Sequence, residues 1–143
     1  MQNMVLLAAG SGITAFLGFL TVLLCVALLI GPAFLLHFGA TYYFRPAASA
    51  DSGKGFRTPS AKGSTKAWKY AQKMAGMVWG GLGALLLVAM LIVCLTFIGK
   101  NQAQMASVAA TCLAIQVVLV AIATAAIHLL VYHAFGKNKK RKQ

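Results

Sequence analysis

The chain has 143 residues, of which 60% are hydrophobic and only 10% are charged, and its mean hydropathy is +0.80. A soluble domain of this length needs a polar surface that so few charged residues cannot supply, so we expect most of the chain to face lipid. Thirteen basic residues and one acidic residue give a net charge of +12. The composition excludes an ordinary soluble domain and predicts a membrane protein.

Three apolar runs without Asp, Glu, Lys or Arg are each long enough to cross the ~30 Å hydrocarbon layer, which takes about 20 helical residues. They cover roughly residues 13–36, 75–98 and 108–130. Because lipid requires every backbone amide to be paired within the protein, and the runs lack strand-like alternation, we expect an all-α bundle of three transmembrane helices. The chain, residues 1–143, is interpreted as a single transmembrane domain.

The first apolar run resembles a secretory signal only in its hydrophobicity. Residues 1–44 contain no Lys or Arg, whereas a cleavable signal has a positively charged start, so we expect a retained span. Small residues at positions 10–12 leave open whether Met1 to Ala9 form an interfacial segment or an additional helical turn. Further along, Gly31 and Pro32 are expected to kink the helix, with a neighbouring helix pairing the carbonyl that proline leaves free.

The basic residues are unevenly distributed around the predicted spans. The loop of about residues 45–74 holds seven and the tail 137–143 holds five, whereas the loop between the second and third runs holds only Lys100. The positive-inside rule therefore predicts a cytoplasmic loop and C-terminus and an external N-terminus. These side chains are expected to contact anionic lipid headgroups, and no nucleic acid partner is predicted because no nucleic-acid-binding fold accompanies the charge.

Small and polar residues in the second and third runs predict helix contacts. Gly76, Gly80 and Gly83 are spaced i, i+4, i+7 and so lie on one helix face, which lets the first or third helix approach closely. Gln116 lies near the middle of the third run, where an amide prefers a protein partner to lipid. We expect Gln116 to face the bundle.

Residues that support catalysis or metal binding are scarce. Asp51 is the only carboxylate side chain, which excludes chemistry by paired carboxylates. Cys25, Cys94 and Cys112 all lie in apolar runs without metal-ligand spacing, so we expect small packing residues and no disulfide. The sequence therefore predicts neither an enzyme nor a metal site.

Three histidines lie near the predicted cytoplasmic interface: His37, His128 and His133. Histidines from two helices at one depth could ligate a haem iron, as in membrane haem anchors. The simpler interpretation is that amphipathic side chains occupy the wet interface. We favour the interfacial interpretation and predict no cofactor.

The loop between the first two runs contains a turn motif. Its residues are Gly55, Phe56, Arg57, Thr58 and Pro59. Glycine permits unusual backbone angles, and the proline disfavours helix in the residue before it, so a turn is predicted here. Ser64 is then a plausible N-cap for a helix that begins near Thr65. Trp68 is expected at headgroup level, as an interfacial anchor for that helix.

This order of residues, followed by Trp68 and Gly76, resembles the SdpI family of bacterial membrane proteins, named for immunity to a sporulation-delaying toxin. That family shows a G-[YF]-R-T-P turn after one span, then a tryptophan-containing start to the next span, then glycine. The specific resemblance covers about residues 55–83. Residues 63–65 stand where family members typically carry acidic residues, so any pairing of those acids with Arg57 is not carried over to this chain.

The resemblance implies a multi-pass protein of the bacterial cytoplasmic membrane that protects the cell from a secreted peptide toxin, with sequestration of a transcriptional repressor as a second activity. Such a protein acts by binding. Arg57 is then expected to bind a phosphate or a partner's carboxylate, with a lipid headgroup contact as the equal alternative. The glycine face and Gln116 are candidates to host a peptide helix. An accessory subunit that packs against a larger membrane complex is the alternative function.

Overall fold

The structure is a computed structural model that describes residues 1–136. Its long helices are α1 (Gln2–Phe44), α2 (Thr65–Leu95) and α3 (Gln102–Val131). Short 3-10 turns at Ala50–Ser52 and Ala61–Gly63 lie between α1 and α2, and a π-helical turn, Tyr132–Gly136, continues α3. The described residues include no strand, and all three helices are long and apolar enough to cross a membrane, which confirms the predicted all-α architecture. The basic tail predicted at 137–143 lies outside the described residues.

Two of the helix starts are fixed by side-chain caps. The Ser64 hydroxyl accepts a hydrogen bond from the Ala67 amide at 3.1 Å, which confirms the predicted cap of α2. At the start of α3, Asn101 and Gln104 each accept a bond from the other's backbone amide, at 2.9 and 3.4 Å. Each such cap contributes about 1 kcal/mol by satisfying an amide that the first helical turn leaves unpaired.

The helix α1 is longer than the bundle that it joins. At 1.5 Å per residue its 43 residues extend about 64 Å, more than the roughly 40–45 Å of a bilayer with headgroups. Gln102, the first residue of α3, donates to the Leu17 carbonyl at 3.0 Å and to the Thr21 hydroxyl at 3.2 Å. Residues 1–16 therefore extend past the start of α3, and they are helical from Gln2 onwards, so the segment before Gly10 is additional helix.

We use two names for the ends of the bundle. The loop end carries the α1–α2 connection, residues 45–64, and the turn end carries the α2–α3 connection, residues 96–101. Buried residues form one cluster at each end. The loop-end cluster consists of Phe56, Ala61, Trp68, Ala71, Ala75, Ile127 and Val131. The turn-end cluster consists of Leu28, Met90, Phe97, Met105 and Ala109, and the three free, half-buried cysteines pack against it.

Backbone contact between α1 and α2 confirms the predicted glycine face and identifies α1 as its partner. A Cβ atom added to Gly76 would lie 2.7 Å from the Tyr43 nitrogen, and one added to Gly83 would lie 2.5 Å from the Leu36 nitrogen. The closest approach is between Gly39 and Gly80, where a Cβ on Gly39 would overlap the Gly80 backbone. Where two helices carry glycine at their crossing, their backbones come into van der Waals contact, which favours association in lipid.

A hydrogen bond from Gln116 joins α3 to α1 in the interior. Pro32 has no N–H, so the Leu28 carbonyl one turn earlier lacks its helical donor. The Gln116 side chain donates to that carbonyl at 3.2 Å. Leu28, Pro32 and Gln116 are all buried. This confirms both that Gln116 faces the bundle and that a neighbouring helix pairs the carbonyl freed by proline.

Candidate functional site

The turn motif is attached to α2 through the backbone of one residue. The Phe56 amide donates to Gln72 Oε1 at 2.9 Å, and Gln72 Nε2 donates to the Phe56 carbonyl at 3.0 Å. Gln72 is fully buried, so these two bonds satisfy its amide away from water. We call residues 55–61, docked on α2 in this way, the loop cap. Hydrogen bonds within the protein therefore set its conformation.

Glycine is required at the first position of the loop cap for two independent reasons. Gly55 has a φ angle of +95°, a conformation that residues with a Cβ rarely adopt. A Cβ at this position would also lie 2.7 Å from Gln72 Oε1 and 3.1 Å from the Trp68 ring. Any larger residue would therefore strain the turn and push Gln72 away from Phe56.

The second half of the loop cap is closed by Thr58. Its hydroxyl accepts a hydrogen bond from the Ala61 amide at 3.1 Å, and its carbonyl accepts one from the Lys62 amide at 3.1 Å. Thr58 is buried, whereas Pro59 beside it is exposed. The predicted turn is thus present, and its buried polar atoms are paired within the protein.

An aromatic contact chain connects the loop cap with both α1 and α2. The ring of Phe56 meets that of Trp79 edge-to-face, with centroids 5.6 Å apart, and Trp79 lies 5.7 Å from Tyr42 of α1. Such pairs contribute about 0.5–1.5 kcal/mol beyond the area that they bury. The loop cap is therefore fixed to the bundle by apolar packing as well as by Gln72.

The prediction that Trp68 is an interfacial anchor is wrong. Its side chain is only 2% exposed, and its indole N–H donates to the Ala47 carbonyl at 2.7 Å. Trp68 shares a buried helix face with Ala71, Gln72 and Ala75, at spacings of three, four and seven residues. Because that face packs under the α1–α2 connection, the indole holds the connection through this hydrogen bond and is not available to the headgroups.

Arg57 is the charged residue of the loop cap, and it is exposed. The residues on either side of it, Phe56 and Thr58, are buried, so the rigid turn holds the guanidinium group at the surface. The other basic residues of the connection and the start of α2 are exposed as well: Arg45, Lys54, Lys62, Lys66, Lys69 and Lys73. A guanidinium on an ordered turn can bind a phosphate or carboxylate through two parallel hydrogen bonds.

The glycine face does not form a free surface for a peptide helix. Gly76, Gly80 and Gly83 are in contact with α1, and Gln116 uses its amide nitrogen on Leu28. A peptide could lie there only by displacing α1. Among the sequence-based candidates, Arg57 is thus the exposed charged group, whereas the glycine face and Gln116 pack inside the protein.

The histidines do not form a cluster that favours a cofactor. His37, His128 and His133 are exposed, and residues 1–136 contain no group of three His, Cys, Asp or Glu side chains arranged to hold a metal ion. The contacts of His37 and His133 are with the neighbouring rings of Phe38 and Tyr132. These contacts add no support to the haem interpretation.

Two residues that organise the site were missed by sequence reasoning. Gln72 is one of them, although a polar residue on a helix face otherwise formed by Trp68, Ala71 and Ala75 is a signal that its amide pairs inside the protein. Gly39 was not singled out. It begins the run of small residues Gly39, Ala40 and Thr41 between Phe38 and Tyr42, and such a run in an apolar helix indicates a close helix contact.

Comparison with known proteins gives one result. A model of the SdpI/YfhL protein family matches residues 50–132, which is more than half of the chain. No curated protein and no solved structure matches it. The matched residues contain the loop cap, all of α2 with Gln72, and α3, whereas α1 lies outside them. The family resemblance drawn from the turn motif is confirmed.

Proposed function

Since the chain belongs to the SdpI/YfhL family, we propose that it is an immunity protein of the bacterial cytoplasmic membrane that protects its cell by binding a secreted antimicrobial peptide. The observation that carries the proposal is the loop cap, which lies within the matched residues and presents Arg57 on a turn that hydrogen bonds within the protein hold in place. A preorganised group loses little conformational entropy on binding. The proposed activity is recognition without catalysis.

The proposed orientation places the loop end and the C-terminus in the cytoplasm and the N-terminus outside. It is supported by the seven basic residues of the α1–α2 connection and the start of α2, positions 45–74, against Lys100 alone at the turn end. A peptide toxin that inserts into the membrane then reaches Arg57 at the inner headgroup layer. A reporter fused after Gln143 should be active in the cytoplasm, and activity only outside the cytoplasm would reverse this topology.

The contact that we propose is between the Arg57 guanidinium and an acidic group of the toxin, either a side chain or the C-terminal carboxylate. The surrounding exposed lysines raise the local positive potential, which favours an anionic partner. The same surface would bind an acidic face of a cytoplasmic repressor, and this is the basis for a signalling activity of the loop end.

A toxin challenge tests the proposal. The chain is expressed in a bacterium sensitive to the sporulation-delaying peptide, and survival is compared for the unmodified protein, Arg57→Ala and Lys54→Ala. Lys54 is a matched control because it is an exposed cation of the same connection outside the loop cap. We expect protection by the unmodified protein and by Lys54→Ala, and loss of protection with Arg57→Ala. If the unmodified protein gives no protection against this peptide or related ones, the immunity proposal fails.

A second candidate function is that of an accessory subunit within a larger membrane complex. It is favoured by the part of α1 that extends past α3, where every residue from Met1 to Phe16 is exposed and most are apolar. An apolar helix that extends beyond its own bundle fits the surface of another membrane protein. Purification in mild detergent distinguishes the two functions, because an accessory subunit should bring one stoichiometric membrane partner with it.

A further inference from the structure

The start of α2 carries three lysines on one side of the helix. Lys66, Lys69 and Lys73 are spaced i, i+3, i+7, so they share a face, and all three are exposed. The residues at positions 67, 68, 71 and 72, which point the other way, are buried. Because this buried packing fixes the rotation of α2 about its own axis, the three lysines are held on the outside of the bundle. We call them the lysine face.

The lysine face continues into an exposed apolar side of α2. Met77 follows Lys73 by one turn and is 44% exposed. Further along the same face, at helical spacing, come Val88, Leu91 and Leu95, which are 59%, 48% and 68% exposed. These exposures show that neither α1 nor α3 covers this side of α2, so in a membrane it faces lipid. The lysines therefore lie directly above lipid-facing residues of the same helix.

The distances along α2 match the layers of a bilayer. At 1.5 Å per residue, Lys73 and Leu95 are about 33 Å apart, close to the ~30 Å thickness of the hydrocarbon layer. Lys66 lies about 10 Å beyond Lys73, whereas one headgroup region is roughly 5–8 Å deep. Since a lysine side chain has a long, flexible stem, all three ammonium groups can lie in the headgroup region, where the lipid phosphates are.

The protein supplies the lysine face with almost no counter-charge. Asp51 is the only acidic side chain of the chain, so it could pair with at most one of the three ammonium groups. Near an anionic membrane surface, each basic residue favours binding by about fivefold, which corresponds to about 1 kcal/mol. An anionic headgroup is therefore the partner whose charge and depth both fit the lysine face.

We propose that the lysine face binds the headgroups of anionic phospholipids at the loop end, and that this site is separate from Arg57. The loop cap, which carries Arg57, docks on Gln72 at the buried side of α2, whereas the lysine face lies on the lipid side. The phosphate contact is thus assigned to α2, and the guanidinium group is left for a peptide. This inference does not depend on the immunity function.

The first test measures which lipid the full-length protein retains. Protein reconstituted in equal amounts of palmitoyl-oleoyl phosphatidylglycerol and phosphatidylcholine is extracted in mild detergent, and its bound lipids are counted by mass spectrometry of the intact complex. The lysine-face variant combines Lys66→Gln, Lys69→Gln and Lys73→Gln. Its matched control removes the same charge from exposed cations of the α1–α2 connection: Lys54→Gln, Arg57→Gln and Lys62→Gln.

We expect the unmodified protein and the control to retain phosphatidylglycerol about fivefold or more over phosphatidylcholine, and the lysine-face variant to retain the two lipids equally. The same loss of preference in both triple variants would show a response to net charge alone and would overturn the proposal. Equal retention of the two lipids by the unmodified protein would overturn it as well.

The second test uses the unmodified protein and so does not depend on the folding of a variant. Protein in nanodiscs of either lipid is treated with an amine-reactive acetylating reagent, and the labelling of each lysine is measured by peptide mass spectrometry. We expect labelling of the lysine face to fall several-fold in phosphatidylglycerol relative to phosphatidylcholine, and labelling of Lys54 to fall less. An equal change at all four lysines, or no change, would overturn the proposal in favour of an acidic protein as the partner.

Discussion

Replacing Gln72 by Leu should release the loop cap from α2. The change keeps an apolar side chain of similar length but removes both hydrogen bonds to Phe56, at 2.9 and 3.0 Å. Each bond contributes about 0.5–1.5 kcal/mol net, so their loss raises the free energy of the docked cap by about 2 kcal/mol. At 1.4 kcal/mol per tenfold change, the equilibrium for local opening of the cap should increase about 30-fold.

Hydrogen–deuterium exchange in lipid nanodiscs measures this opening. The amides of Phe56, Ala61 and Lys62, which are bonded in the docked cap, should exchange about 30-fold faster in Gln72→Leu, while α2 and α3 keep their protection. Gln102→Leu is the matched control, since it makes the same chemical change at the turn end. Unchanged exchange of the loop cap in Gln72→Leu would refute the argument that these two bonds hold the turn.

Two further predictions concern the contacts that hold the helices together. Gly39→Ala should lower the free energy of unfolding by about 1–3 kcal/mol, because the added Cβ would overlap the Gly80 backbone. Gly80→Ala should have little effect, because its Cβ would lie 3.7 Å from Gly39. Equal effects of the two substitutions on unfolding in denaturing detergent would contradict this packing. Gln116→Leu should lower the free energy of unfolding by about 1–3 kcal/mol, because it leaves the Leu28 carbonyl unpaired. Adding Pro32→Ala should recover most of that loss, because it restores the helical N–H donor to this carbonyl. If the double variant is no more stable than Gln116→Leu in the same assay, the Leu28 carbonyl is not the group that matters.

The features that the sequence predicted correctly depend on local or one-dimensional patterns. Hydrophobic run length indicated the three helices because lipid leaves the backbone few alternatives. The Ser64 cap follows from the chemistry of a hydroxyl beside an unpaired amide. Gly76 and Gly83 are seven residues apart and so lie on the same face of a helix, whatever the position of that helix in the bundle. Gln116 was predictable because an amide in the membrane interior needs a protein partner.

The features that sequence reasoning missed depend on how the α1–α2 connection folds back onto α2. A tryptophan at the start of a span is usually interfacial, and only the docked connection places the Ala47 carbonyl within reach of Trp68. Gln72 likewise has a partner only because the turn brings Phe56 beside it, sixteen residues away in sequence. The position of Gly39 opposite Gly80 requires the register of α1 against α2, which no pattern within a single helix contains.

Binding of the sporulation-delaying peptide to the purified protein in nanodiscs tests the central claim, recognition by Arg57, most directly. Fluorescently labelled peptide is titrated with nanodiscs containing the unmodified protein, Arg57→Ala or Lys54→Ala, and empty nanodiscs give the lipid background. We expect saturable binding that Arg57→Ala weakens about tenfold or more, as the loss of a charge-assisted contact implies, and that Lys54→Ala changes little. Equal affinity of the Arg57→Ala and unmodified proteins, or a signal no greater than that of empty nanodiscs, would contradict the account.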